Sequence, residues 1–171
     1  LAAMQRLGLA NVHVEPVTVP HWDRGSGEGW IVSPSRQPVA LLALGGSIGT
    51  PETGIDAPVV RVETMAALEA LPEADVRGKI VFLDVHTRRT QDMAGYAEAV
   101  PARGFGWAAA SKKGALALLL RSIGTDHNRL AHTGGLRADE KARPIPAVAL
   151  SNPDADQLAA TVALGKPVTF H

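Results

Sequence analysis

Six histidines, seventeen acidic residues and a few glycine- and serine-rich turns bound the chemistry open to this chain. His21-Trp22-Asp23 has the H-x-D spacing found among zinc ligands. A zinc site needs three or four converging ligands, and the neighbouring sequence supplies no more, so a surface-loop role is expected for the triplet. Asp84-Val85-His86 ends an apolar run, where site residues gather in open sheets. A solvated pair at the sheet rim is the plainer expectation. His127 and His132 share a long loop with Asp126 and Arg129. A curled loop would bring both imidazoles to one metal, yet no carboxylate-rich segment completes the set. Structural or substrate-facing roles suit them better. Serines are present, but none stands in a G-x-S-x-G elbow. The loop at 45–50, GGSIGT, lacks the Gly-Lys-Ser/Thr ending of a phosphate loop and does not fit G-x-G-x-x-G. A tight turn needing open backbone angles is expected there, with a backbone anion nest as the lesser alternative. Trp22, Trp30 and Trp107 are spaced too irregularly for a base-stacking platform, so packing roles are expected.

Composition narrows the classes further. The 171 residues suit one domain with a real core. Seventeen Lys and Arg balance seventeen Asp and Glu, leaving no basic face to displace counterions from a phosphate backbone. Nucleic acid is therefore not an expected partner. With no cysteine there is no disulfide, thiolate-bound metal or thiol nucleophile. No apolar stretch approaches the roughly 20 residues of a membrane helix, so no membrane partner is expected. The opening LAAMQRLGL has neither an initiator Met nor a signal peptide, and the chain is expected to be a segment of a longer protein.

The elements that must position these residues follow from periodicity. Leu1, Met4 and Leu7 share a helical face that Gly8 would end. Residues 11–19 alternate like a strand, with Pro16 at a bulge or edge position. Short strands are expected at 30–32, 39–44 and 59–62. Thr64 caps a helix carrying Met65, Leu68 and Leu71, which stops at Pro72. Residues 79–85 and 115–120 are apolar runs without alternation, the mark of strands covered on both faces. Between them, 86–103 is polar with a helical turn near 93–99. A short helix then places Phe105, Ala109 and Lys113 on one stripe, and Gly114 supplies a left-handed cap. A loop at 124–143 precedes a strand at 147–150. Asn152 caps a last helix with Pro153 at its first position, Leu158 and Val162 inward and Gly165 beyond its end. A strand at 168–170 closes the chain. The expected class is α+β, strand-rich in the first half with helices packed on one side.

With these blocks in order, NVHVEPVTVPHWDRG, LALGGSIGTPETGI, RGKIVFLDV, KKGALALLLRSIGT, HTGG and PIPAVALSNPDADQL, the chain resembles the protease-associated domain inserted in carboxypeptidase Q-like zinc exopeptidases. The resemblance covers nearly the whole chain. It implies a swivelling β/β/α domain at 20–171, with residues 1–19 forming the end of a flanking peptidase domain's helix and strand. It also implies that the two zinc ions and the catalytic groups belong to that peptidase domain, with no metal or catalytic residue in this chain. The H-x-D triplet then falls in the family's P-H-W-x-R-G segment.

Such domains border an active site, restrict substrate size or mediate assembly. By resemblance, the loops at 45–50 and 121–135 would face a peptide substrate. Ser47, Gly49, Arg121, Ser122, His132 and Thr133 are the substrate-facing candidates, with Arg121, Ser122, His132 and Thr133 as hydrogen-bond donors to a peptide carboxylate. The implied partners are the chain's own peptidase domain, a peptide at the domain border and a second copy in a homodimer; the implied location is secreted or periplasmic. Two rival readings stay open: a free-standing peptide- or protein-binding module of the same fold, and a self-contained hydrolase using His127 or His132 with a loop serine.

Overall fold

The computed structural model describes all residues from Leu1 to His171. Its elements, in chain order, are α1 (Ala2–Arg6), β1 (Trp30–Ser33), β2 (Gln37–Pro38), β3 (Leu41–Ala43), β4 (Ala57–Val62), α2 (Met65–Ala70), α3 (Glu73–Val76), β5 (Ile80–Leu83), α4 (Ala94–Lys112), β6 (Ala117–Arg121), β7 (Ala147–Leu150), α5 (Asn152–Ala163) and β8 (Thr169–Phe170). One curled sheet holds all eight strands in the order β2-β1-β8-β4-β5-β6-β7-β3. Strands β4 to β7 run parallel; β3, β8, β1 and β2 pair antiparallel around them. The stretch between β2 and β3 bridges the two ends of this order. Val39 donates its N–H to Gly29 beside β1, while Ala40 accepts from Ser151 beyond β7.

The apolar runs become the central strands because both of their faces are covered. Leu118 and Leu120 point into one cluster with Val81, Leu83, Trp107 and Ala110, the layer that α2 and α4 complete. Ala117 and Leu119 point the other way, to Ile80, Phe82, Phe170 and the α5 residues Ala155 and Leu158. The α+β class expected from sequence stands, in a form consistent with a protease-associated-like domain. Thr64 caps α2 as expected, its side chain accepting from Ala67 N–H.

Three local expectations are corrected. Residues 11–19 form no strand. An extended segment becomes a strand only when another backbone takes up its N–H and C=O groups, and none lies beside it. The helical turn near 93–99 and the helix after Phe105 are one helix, α4, running through Pro101. Its packed face is the row Gly95, Ala99, Ala102, Gly106 and Ala110, whereas Phe105 looks outward at 42% exposure. A Cβ on Gly106 would lie 2.8 Å from Leu83 Cδ2, so small residues let this helix lie close on the sheet. Finally, the cap of α5 is Ser151, whose side chain accepts from Asp154 N–H; Asn152 is the first helical residue.

Candidate functional site

The loops at 45–50 and 121–135 meet. Gly45 and Gly135 form a parallel bridge, fixed by Gly45 N–H to Gly134 C=O at 2.8 Å and Leu136 N–H to Gly45 C=O at 2.8 Å. A Cβ on Gly45 would lie 3.4 Å from Gly135 Cα, so the close approach of the two backbones suits a glycine there. Ser47 anchors its own loop, accepting from Ala147 N–H at 2.8 Å and donating to Ile48 C=O. It also accepts, through its carbonyl, the Trp22 indole N–H at 3.0 Å. Arg24 reaches the same place, its Nε donating to Ala43 C=O at 3.0 Å and its Nη2 to Thr133 Oγ1 at 3.4 Å. Thus the segment carrying Trp22 and Arg24 straps the two loops together over the amino-terminal ends of β5, β6 and β7.

Beneath the strap lies a cavity of about 430 Å³. Its walls are Leu41, Ile80, Ala117, Leu119, Val148 and Phe170, with Ser47 and Gly49 at its rim. Of the sequence-derived candidates, Ser47 and Gly49 line this cavity, and Thr133 meets it only through the hydrogen bond from Arg24. His132 does not line the cavity; its Nε2 lies 3.2 Å from the Tyr96 hydroxyl and its ring is edge-on to that tyrosine, which also accepts from Arg103.

Arg121 and Ser122 lie apart from this group, at the carboxyl end of β6. Ser122 is fully buried, its hydroxyl donating to Leu150 C=O at 2.6 Å and accepting the main-chain N–H of His132. It meets His132 through the backbone, so the two do not form a nucleophile and base pair. Arg121 is buried and shared between Asp84, Nε to Oδ1 at 2.5 Å, and Asp156, Nη1 to Oδ1 at 2.7 Å. The other Asp84 oxygen takes Arg61 at 2.6 Å. A carboxylate with no exposure is here neutralised by two guanidinium groups, as a buried charge must be. This corrects the expectation of a solvated Asp84-His86 pair: Asp84 is interior, and His86 alone is exposed. Arg61 and Arg121, each embedded in an apolar strand, were the available signal, since a charge there needs a carboxylate partner.

The same end of the sheet is closed by the loop after β6. Arg129 clasps Asp154 in the first turn of α5, at 2.7 Å and 3.0 Å, and donates to Pro38 C=O. Burial alone would push the Asp154 carboxyl up; the bonds from Arg129 and Ser151 outweigh it and hold the group below its ordinary value. Asn152 donates to Asp126 C=O at 2.9 Å, which seats His127 at the surface, 3.8 Å from Asp156.

No three His, Asp or Glu side chains of this chain converge as a metal cage. In the H-x-D triplet, Asp23 is occupied by Gly25 N–H at 2.8 Å and Trp22 by Ser47. The residues present do not fit a zinc ion. No helix is long and apolar enough to cross a membrane.

Known proteins share this sequence and architecture. Carboxypeptidase Q from Xenopus laevis is 35% identical over 168 residues, 98% of this chain and 34% of that protein. Carboxypeptidase Q from Homo sapiens is 36% identical over 155 residues, 91% of this chain and 31% of that protein. The solved structure of a peptidase M28 precursor from Shewanella amazonensis SB2B superimposes with a TM-score of 0.92 at 45% identity, over 99% of this chain and 38% of that one. A zinc aminopeptidase from Bacillus subtilis shares the fold, with a TM-score of 0.60 at 23% identity over 99% of this chain and 34% of its own. No family model matches the chain. The chain spans about a third of the length of the curated relatives it matches. Agreement in both sequence and fold, running almost from end to end of this chain, fits a domain of a carboxypeptidase Q-like peptidase.

Proposed function

We propose that this chain is the non-catalytic, protease-associated domain of a zinc-dependent exopeptidase, covering the active site of its own peptidase domain and helping to select peptide substrates. The observation that carries this reading is the state of residues 1–19. Leu1, Met4, Leu7, Leu9, Val14, Val17 and Val19 are each more than half exposed, and the segment makes no hydrogen bond to the rest of the domain. So many aliphatic side chains without cover mark a surface that another body completes. On this reading residues 1–19 belong to the peptidase domain, and the domain proper is 20–171. The two zinc ions and the hydrolytic groups are held by the peptidase domain, outside the cytoplasm in a secreted or periplasmic enzyme. The relatives support this by name and by length, being peptidases about three times as long as the region they share.

Ser47 and Gly49 at the cavity rim, with His132 and Thr133 on the neighbouring loop, are the residues we assign to the substrate border. Arg121 and Ser122 act there indirectly, by fixing the strand and loop from which His132 and Thr133 project. The test compares this chain with the full-length protein in aminopeptidase and dipeptidase assays with added zinc. Turnover by the full-length protein and none by the chain alone is the expected result. Hydrolysis by the chain alone, lost on replacing His127 or His132, would establish the self-contained hydrolase instead.

A further inference from the structure

The cavity under the strap has walls and an opening of different chemistry, and this contrast identifies what it would hold. Its interior is aliphatic and aromatic, with Ile80, Leu119, Val148 and Phe170 presenting no polar side-chain atom. Its volume, about 430 Å³, lies within the range of sites that enclose small organic ligands. At the mouth stands Arg24. Two hydrogen bonds to Ala43 C=O and Thr133 Oγ1 hold its guanidinium, whose Cζ lies 5.5 Å from the centre of the Trp22 ring, and it pairs with no carboxylate. An arginine held in place without a counterion is a ready partner for an anionic group. Asp23, Glu28 and His171 also line the cavity; Asp23 accepts Gly25 N–H, His171 pairs with Asp56, and neither Asp23 nor Glu28 pairs with Arg24, whose guanidinium stays free for a ligand.

We propose that this cavity binds a small amphipathic carboxylate, with the apolar body between β3 and the amino ends of β5 to β7 and the carboxylate on Arg24. The class includes arylalkyl and branched aliphatic acids. The site uses groups of this chain alone, so it does not depend on the peptidase reading, and either can fail without the other.

The experiment is calorimetric titration of the full-length protein with 4-phenylbutyrate, the isosteric 4-phenylbutanol and 4-phenylbutylamine. A methyl-resolved NMR titration of the full-length protein locates the contact. The acid should bind with one-to-one stoichiometry and shift the methyl signals of Ile80, Leu119 and Val148. Arg24→Gln should weaken the acid by about ten- to a hundredfold and leave the alcohol unchanged. Val148→Phe, which fills the cavity, should abolish binding of all three probes; should it not fold, the Arg24→Gln comparison still decides. Equal binding of acid and alcohol, or tighter binding of the amine, would overturn the assignment to a carboxylate. No saturable binding of any probe up to about 5 mM would overturn the site itself.

Discussion

At their carboxyl ends β4, β5 and β6 bring Arg61, Asp84 and Arg121 together; at their amino ends β5, β6 and β7 turn Ile80, Ala117 and Val148 toward an open space. The first end is filled with charge and sealed by the loop that carries Arg129. The second is largely apolar and covered by the strap from Trp22 to Glu28 and the loop from Ser47 to Ile55. The two ends therefore divide the work: one fixes strand register through paired charges, while the other leaves room. A polar cluster at strand ends would ordinarily draw attention as the place where ligands bind. Here its groups are mutually satisfied, and the vacant volume lies at the opposite end.

The sharpest way to break this contrast is to unpair the charged end. Asp84→Ala leaves two guanidinium groups without their shared carboxylate and should cost about 3–5 kcal/mol, read as a drop in urea-unfolding stability. A loss below about 1 kcal/mol would mean that water reaches Arg121 and that this end is not sealed. Next come the two faces of β6. Leu120→Ala, in the close-packed cluster beneath α4, should fall near the top of the usual range of about 2–5 kcal/mol for such truncations. Leu119→Ala should fall near its bottom, because Leu119 already borders empty volume and gives up fewer contacts. Equal losses would erase the distinction between the faces.

The smallest effect is a pH dependence. The Asp154 carboxyl is held below its ordinary value in the folded protein, so it binds protons more readily when unfolded. Its contribution is therefore complete above the unfolded carboxylate value of about 3.9 and disappears as the pH falls through the lower folded value. Arg129→Gln removes the principal opposing bond and leaves burial to raise the carboxyl. Stability of that variant should therefore be lower near neutral pH and should fall less than in the unaltered protein as the pH drops through the acid range, as followed by thermal melts.

How far these features were legible in the sequence depends on how local their causes are. The strands β5, β6 and β7 were readable as uninterrupted apolar runs because burial on both faces removes every polar position. Thr64 and Gly114 were readable because capping is settled within a few residues. Helix α4 was obscured because its packed face is made of Gly and Ala, which carry almost no hydrophobic contrast, and because Pro101 suggests a break. The Asp84 cluster needed the parallel register of β4, β5 and β6, which no single strand reveals. The bridge between Gly45 and Gly135 joins loops that no local pattern pairs; resemblance pointed to both loops, and the curling of the sheet brings the first of them, Trp22 and Arg24 around one cavity.

That curling has a further effect through Val39 and Ala40, which hand the hydrogen-bond ladder from one terminus of the strand order to the other. The edge strands β2 and β3 are only two and three residues long, so a foreign chain finds scant template on which to add a strand. The body of the domain should thus resist fibril-like stacking even when concentrated. Any stickiness in solution should trace to the bare aliphatic stretch ahead of Trp30, and should vanish once that stretch is covered.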